Sequence, residues 1–135
     1  MDPDFLDSMR ARLAAALDPT EAIRQLDAVP VNQPLAARLL AVIDILDAYY
    51  VHARAGFDDH RAPTARPFSR DDFRAITSVP ETQQAVTRLL EPDRDRLRLP
   101  PDVLTKAFLG MSSGPARTTL SAAQLVDLFL NGAPL

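Results

Sequence analysis

The sequence has no cysteine in 135 residues. That absence removes disulfides, thiolate metal sites and a cysteine nucleophile together. Lysine is nearly missing as well: Lys106 stands alone among the cations beside fourteen arginines. The formal charge is −3, so the chain as a whole lacks the cationic excess that phosphate backbones attract. Glycine is scarce, at four residues, and no segment alternates apolar and polar residues with a period of two, which argues against strands. No run approaches the roughly 20 apolar residues of a membrane span. The start, "MDPDFLDSMRARLAAAL", carries Asp2, Asp4 and Asp7 where a secretory leader would carry positive charge. There is no serine elbow, glycine-rich phosphate loop, dinucleotide fingerprint or H-E-x-x-H pair. These absences predict a single cytoplasmic domain that is not an enzyme and needs no cofactor.

What is present has a period of 3.6 almost throughout. The expected class is all-α, an antiparallel bundle of about six to seven helices. Prolines and caps set the boundaries. Asp2 with Pro3, and Asp18 with Pro19 and Glu21, each form an N-terminal signal, which places helices over about 3–17 and 19–29. The stretch "PLAARLLAVIDILDAYYVHARAGF" predicts a long helix over about 34–57, ended by Gly56 and the run that follows, with residues 58–68 as the most mobile loop. Leu35, Leu39, Val42, Leu46, Tyr49 and Tyr50 share one face of it, and Ala41, Ile45 and Ala48 keep another side apolar or small. So little polar circumference belongs to a central helix. Ser69 and Asp72 fit a capping box; a helix from Pro80 is expected to break near Glu91 because of Pro92. "DRDRLRLPP" reads as a polar turn in which alternating acids and arginines neutralise one another. A helix over about 101–113 follows, with Leu104, Ala107, Phe108 and Met111 on one apolar face.

The closing segment, "LSAAQLVDLFLNGAPL", is the most informative. Leu120, Ser121, Gln124 and Leu125 combine a hydrophobic staple with a capping box, and Asn131–Gly132 makes a stop, giving a helix over about 121–132. Gln124, Asp127 and Asn131 form one narrow polar stripe on a helix otherwise apolar. One side can pack on the domain's own core; the other calls for a partner, because monomers rarely leave a contiguous apolar patch in water. The cheapest partner is a second copy, with two helices from each protomer in a four-helix interface. Leu104, Phe108, Met111, Leu125, Leu128 and Phe129 are its candidate residues. The alternative is that the long helix covers both sides.

The run "LLEPDRDRLRLPPDVLTKAFLGMSSG", followed by "LSAAQLVDLFLNG", resembles the C-terminal half of TetR-family transcriptional regulators, and "PLAARLLAVIDILDAYY" is similar to a long helix of that family's effector domain. The resemblance covers about residues 30–133, with residues 1–29 as connector helices. It implies a homodimer whose helical domain encloses a small, mostly apolar effector and controls operator binding through an N-terminal helix-turn-helix head. No such head is seen in these 135 residues, so operator DNA is expected as a partner only through a domain not present here. A pocket would lie between the long helix and the segments around 69–90 and 101–113, lined by Leu46, Tyr50, Phe73, Val86, Leu90, Phe108 and Met111; plain core is the simpler role for each. A stand-alone helical protein–protein interaction module is the competing function.

Three further patterns lead to blander readings. Residues 70–90 have a helix-turn-helix rhythm, but the second helix opens with Glu81 and offers one cation, Arg88. "FDDH" at 57–60 with His52 holds carboxylate and imidazole groups without metal-ligand spacing, and these read as polar side chains facing water. Asp44 and Asp47, with Arg54, read as an exposed or ion-paired stripe.

Overall fold

The structure is a computed structural model, and it describes Asp4, Ser8, residues 18–60, Ser69, Asp72, Phe73 and residues 79–131. Among these residues there are five α-helices and no strand: α1 (Thr20–Asp27), α2 (Leu35–His60), α3 (Pro80–Leu90), α4 (Pro101–Ser113) and α5 (Ala122–Asn131). Two 3-10 turns, Glu91–Arg96 and Pro115–Thr118, join α3 to α4 and α4 to α5. The all-α class therefore stands. Asp4 and Ser8 are helical, but the remainder of the expected 3–17 helix, the 61–68 part of the expected loop and the stop at Gly132 lie outside the described residues.

Helix α2 is the axis. Leu39, Val42, Ile43, Leu46, Tyr49 and Ala53 are buried along it, and α1, α3 and α5 all pack against it. At 26 residues it is about 39 Å long. It outruns its expected end: Gly56 sits inside the helix rather than after it, and Arg54 and Asp58 face each other one turn apart across it at 4.0 Å. A single mid-helix glycine costs only about 1 kcal/mol, which tertiary context overrides.

The boundaries elsewhere follow local chemistry. Asp18 Oδ1 accepts from the Thr20 backbone N–H at 3.0 Å and opens α1. Glu21 does not reach back as a box partner; its carboxylate instead takes Arg24 at 2.5 Å and Gln25 at 3.2 Å. The box at Ser69 and Asp72 is closed in both directions, and so is the one at Ser121 and Gln124. Pro80 starts α3, and Pro92 converts its continuation into the 3-10 turn.

Three arginines fasten these elements together. Arg88 spends its Nη2 on the carbonyls of Leu26, Asp27 and Val29, at 3.0, 2.9 and 3.1 Å, and so caps the C-terminal end of α1 from α3. The cation that a recognition helix would have shown to DNA is turned inward. Arg117 donates to Asp47 on α2 and to the Leu120 carbonyl, both at 2.6 Å, which clamps the turn before α5 to the axis.

Arg38 carries the largest consequence. It is 4% exposed on α2, and its Nη2 lies 2.5 Å from Asp93 Oδ2, itself 3% exposed in the 3-10 turn. Its other donors reach the carbonyls of Gln33 and Leu89. Arg96 pairs with the remaining oxygen of Asp93. "DRDRLR" is thus self-neutralised as expected, with Arg94 on Glu91 and Arg96 on Asp93, but it is not fully solvated: one of its acids is in the core. Removing one member of such a pair strands a buried charge. Asp93→Ala is expected to lower the unfolding free energy by about 3–5 kcal/mol in urea titration, whereas Arg38→Met with Asp93→Leu costs far less. An Asp93→Ala chain as stable as the parent would show that the pair is not structural.

Candidate functional site

Helix α4 buries a different face from the one its hydropathy selects. The inward residues are Pro101, Thr105, Phe108, Leu109, Ser112 and Ser113. Three of these carry hydroxyls, and each hydroxyl is satisfied locally. Thr105 donates to the Pro101 carbonyl at 2.8 Å and meets Thr87 of α3 at 2.7 Å; Ser113 and Ser112 turn back on the Leu109 carbonyl. A hydroxyl bonded to its own preceding turn behaves as a small, nearly apolar group. The apolar face read from the sequence is divided between core and surface: only Phe108 is fully buried, Leu104 and Met111 are half-buried, and Ala107 is exposed beside Val103, which is 45% exposed.

Helix α5 repeats the pattern. Leu125 and Val126 are buried, Phe129 is half-buried with its ring 5.0 Å from that of Phe108, and Leu128 stands 39% exposed. The long helix therefore covers one side of α5 and leaves the other open. Of the six residues expected at an interface, Leu128, Leu104, Met111 and Phe129 reach the surface of α4 and α5. Phe108 and Leu125 lie beneath it, wholly inside the chain's own core, where they support the face but cannot touch a partner. Gly110 lies on the outer side of α4, and a Cβ built there meets no atom within 4 Å. Among the described residues nothing requires a glycine at that point. Leu99, 50% exposed just before α4, extends the apolar surface, and a 290 Å³ cleft joins Leu99 and Leu104 to Phe129 and Leu130.

The seven residues expected to line a pocket are brought together, as parts of one core. Leu46, Phe73, Val86, Leu90 and Phe108 are buried, and Tyr50 and Met111 pack at its edge. Phe73 is wedged against both tyrosines, 5.7 Å from the ring of Tyr49 and 5.0 Å from that of Tyr50. None of the seven lines any of four clefts found between the described elements.

One of the four combines a partly apolar floor with charge. It has a volume of 450 Å³ and lies between α1 and α2, lined by Asp18, Thr20, Glu21, Ala22 and Gln25 on one side and Ile45, Ala48, Tyr49 and His52 on the other. Of its α2 residues, Ile45 and Ala48 belong to the side read in the sequence as apolar or small, whereas the sequence puts Tyr49 on the first apolar face and His52 among surface polar groups; what lies across from them is not legible there. Among the described residues no three of His, Asp and Glu gather as a metal site, and no helix is long and apolar enough to cross a membrane. Comparison with protein-family models, curated proteins and solved structures finds no match to this chain.

Tyr49 forms the inner wall of that cleft. Burial, with the nearby negative charge of Asp18 as a second cause, pushes its phenol up to about 12. A phenol raised in the fold above its unfolded value near 10 stabilises the protein fully below pH 10, and that contribution disappears as pH climbs from 10 to 12. In a Tyr50→Phe chain, ultraviolet titration of the remaining tyrosine is expected to give a midpoint close to 12, and a midpoint near 10 would show Tyr49 to be solvated.

Proposed function

We propose that the chain is the effector-sensing and dimerisation domain of a TetR-like transcriptional regulator, acting on operator DNA through a separate head. One observation carries this reading. Helix α4 turns the small hydroxyl residues Thr105, Ser112 and Ser113 inward, and α4 and α5 together leave Val103, Ala107, Leu128 and the edges of Leu104, Met111 and Phe129 outward. A fold that had no use for that surface would place these groups the other way round, since burying a leucine or valine is worth about 1.5–3 kcal/mol. The bare Gly110 supports a second backbone approaching there, because mid-helix glycine is costly and the protomer itself leaves its Cβ space open. A second copy offers the same apolar face and the same gap, as twofold symmetry requires. The central helix, the proline break after α3 and the capped closing helix keep the order that the family resemblance implies.

Light scattering coupled to size exclusion tests the reading. The parent chain is expected at twice its 14.8 kDa at micromolar concentration. Leu128→Glu, and independently Gly110→Leu, are expected to halve the mass while leaving the helical circular dichroism unchanged. A single-chain mass for the parent at high concentration would overturn dimerisation through this face and favour a helical module that binds a different protein.

A further inference from the structure

The cleft between α1 and α2 is asymmetric in charge. Glu21 is committed to Arg24, which neutralises it. Among the described residues no cation pairs with Asp18: its Oδ1 accepts both the N–H and the hydroxyl of Thr20, and its Oδ2 accepts no hydrogen bond from them. Those two Thr20 contacts also fix the carboxylate in one orientation and hold its pKa below the ordinary value, so it is charged at neutral pH. Across from it, Ile45, Ala48 and the buried Tyr49 offer apolar surface. The 450 Å³ volume is within the range of small-molecule sites, about 300–1,000 Å³.

We infer that this cleft binds a small organic cation with an apolar body, its ammonium held by Asp18 and its hydrocarbon laid on Ile45, Ala48 and Tyr49. An anion is disfavoured by Asp18, and a neutral apolar molecule leaves that carboxylate partly desolvated and unpaired. A cation with a short hydrocarbon body satisfies both halves of the site. The inference rests on the effector reading only for its biological role. The cleft shares no residue with α4 or α5, so a monomeric variant retains it.

The probes are 3-phenylpropylammonium, 3-phenylpropanol and 3-phenylpropanoate, equal in body and different in charge, titrated at low ionic strength into the nitrogen-15-labelled chain. The amine is expected to shift the amides of residues 20–25 and 45–52 saturably. It is expected to bind about fivefold tighter than the alcohol, in line with one exposed ion pair, with the difference shrinking as salt rises. The carboxylate is expected to bind weakest. Asp18→Asn keeps an oxygen for Thr20 and so preserves the cap, yet it is expected to bring amine and alcohol level. Ala48→Phe fills an exposed part of the cleft and is expected to abolish all three. Binding of the amine to the Leu128→Glu chain separates this site from the dimer face. Equal affinity for amine and alcohol in the parent, indifference to Asp18→Asn, or no saturable shift with any probe would overturn the inference.

Discussion

The contact between Arg38 and Asp93 decides where everything after α3 can go. Arg38 sits one turn into the central helix, and Asp93 lies in the turn that Pro92 forces on the chain. The guanidinium also donates to the Leu89 carbonyl near the end of α3 and to the Gln33 carbonyl before α2, so a single side chain holds the start of α2, the end of α3 and the turn between α3 and α4 in one geometry. Two buried charges are costly to desolvate, and such a pair is weak evidence for added stability. Its effect is directional. A hydrophobic contact at this point would tolerate sliding, whereas a guanidinium held by three acceptors in a fixed fork does not. The direction in which α4 leaves, and with it which face of α4 is turned outward, follows from that fixed turn.

The arginines divide the remaining tasks in a consistent way. Arg88 satisfies the end of α1, and Arg117 ties the approach of α5 to Asp47. Each reaches across sequence separations of about 60–70 residues to a backbone carbonyl or a carboxylate on another helix. With few glycines to shape turns and no cysteine to staple them, long planar cations do the joining. This also accounts for the low number of lysines, whose single ammonium cannot serve several carbonyls in a plane.

Element boundaries were legible wherever the signal was local. The capping boxes at Ser69 and Ser121, the proline starts at Pro80 and Pro101 and the break at Pro92 all depend on residues within a few positions of one another. Which other residues of α4 go inside was not legible, for a physical reason. Periodicity weighs Thr105, Ser112 and Ser113 as polar, but their hydroxyls close on backbone carbonyls one turn earlier and go inside. Leu104 and Ala107 then occupy the outer side by default. Partners of arginine were equally illegible, because a charge that is buried and one that is solvated have the same letter. Arg88 looked like a surface cation and Asp93 like part of a solvated run; only their distant acceptors distinguish them. Of the cleft at Asp18 only Ile45 and Ala48 were legible, as part of a side of α2 kept apolar or small, while the α1 wall opposite depends on how Arg88 docks that helix.

The two proposed surfaces meet through one element. Helix α2 lends one flank to the cleft under α1 and another to α5, whose outer side carries Leu128. A ligand at the first can influence association at the second only if it binds one position of α2 better than another, and the effect is then reciprocal. The arginine clamps define what such positions could be. Arg88 ties α1 to α3 and Arg117 ties the approach of α5 to α2, so neither α1 nor α5 can shift on α2 without straining one of these contacts. In each clamp the arginine Nε is buried and donates no hydrogen bond to the described residues. An unsatisfied buried donor raises the energy of the arrangement that contains it by about 1–3 kcal/mol, the same scale as typical allosteric coupling. Both clamps are therefore held below their full hydrogen-bonding capacity at the two joints that a signal from the cleft to the dimer face would have to cross.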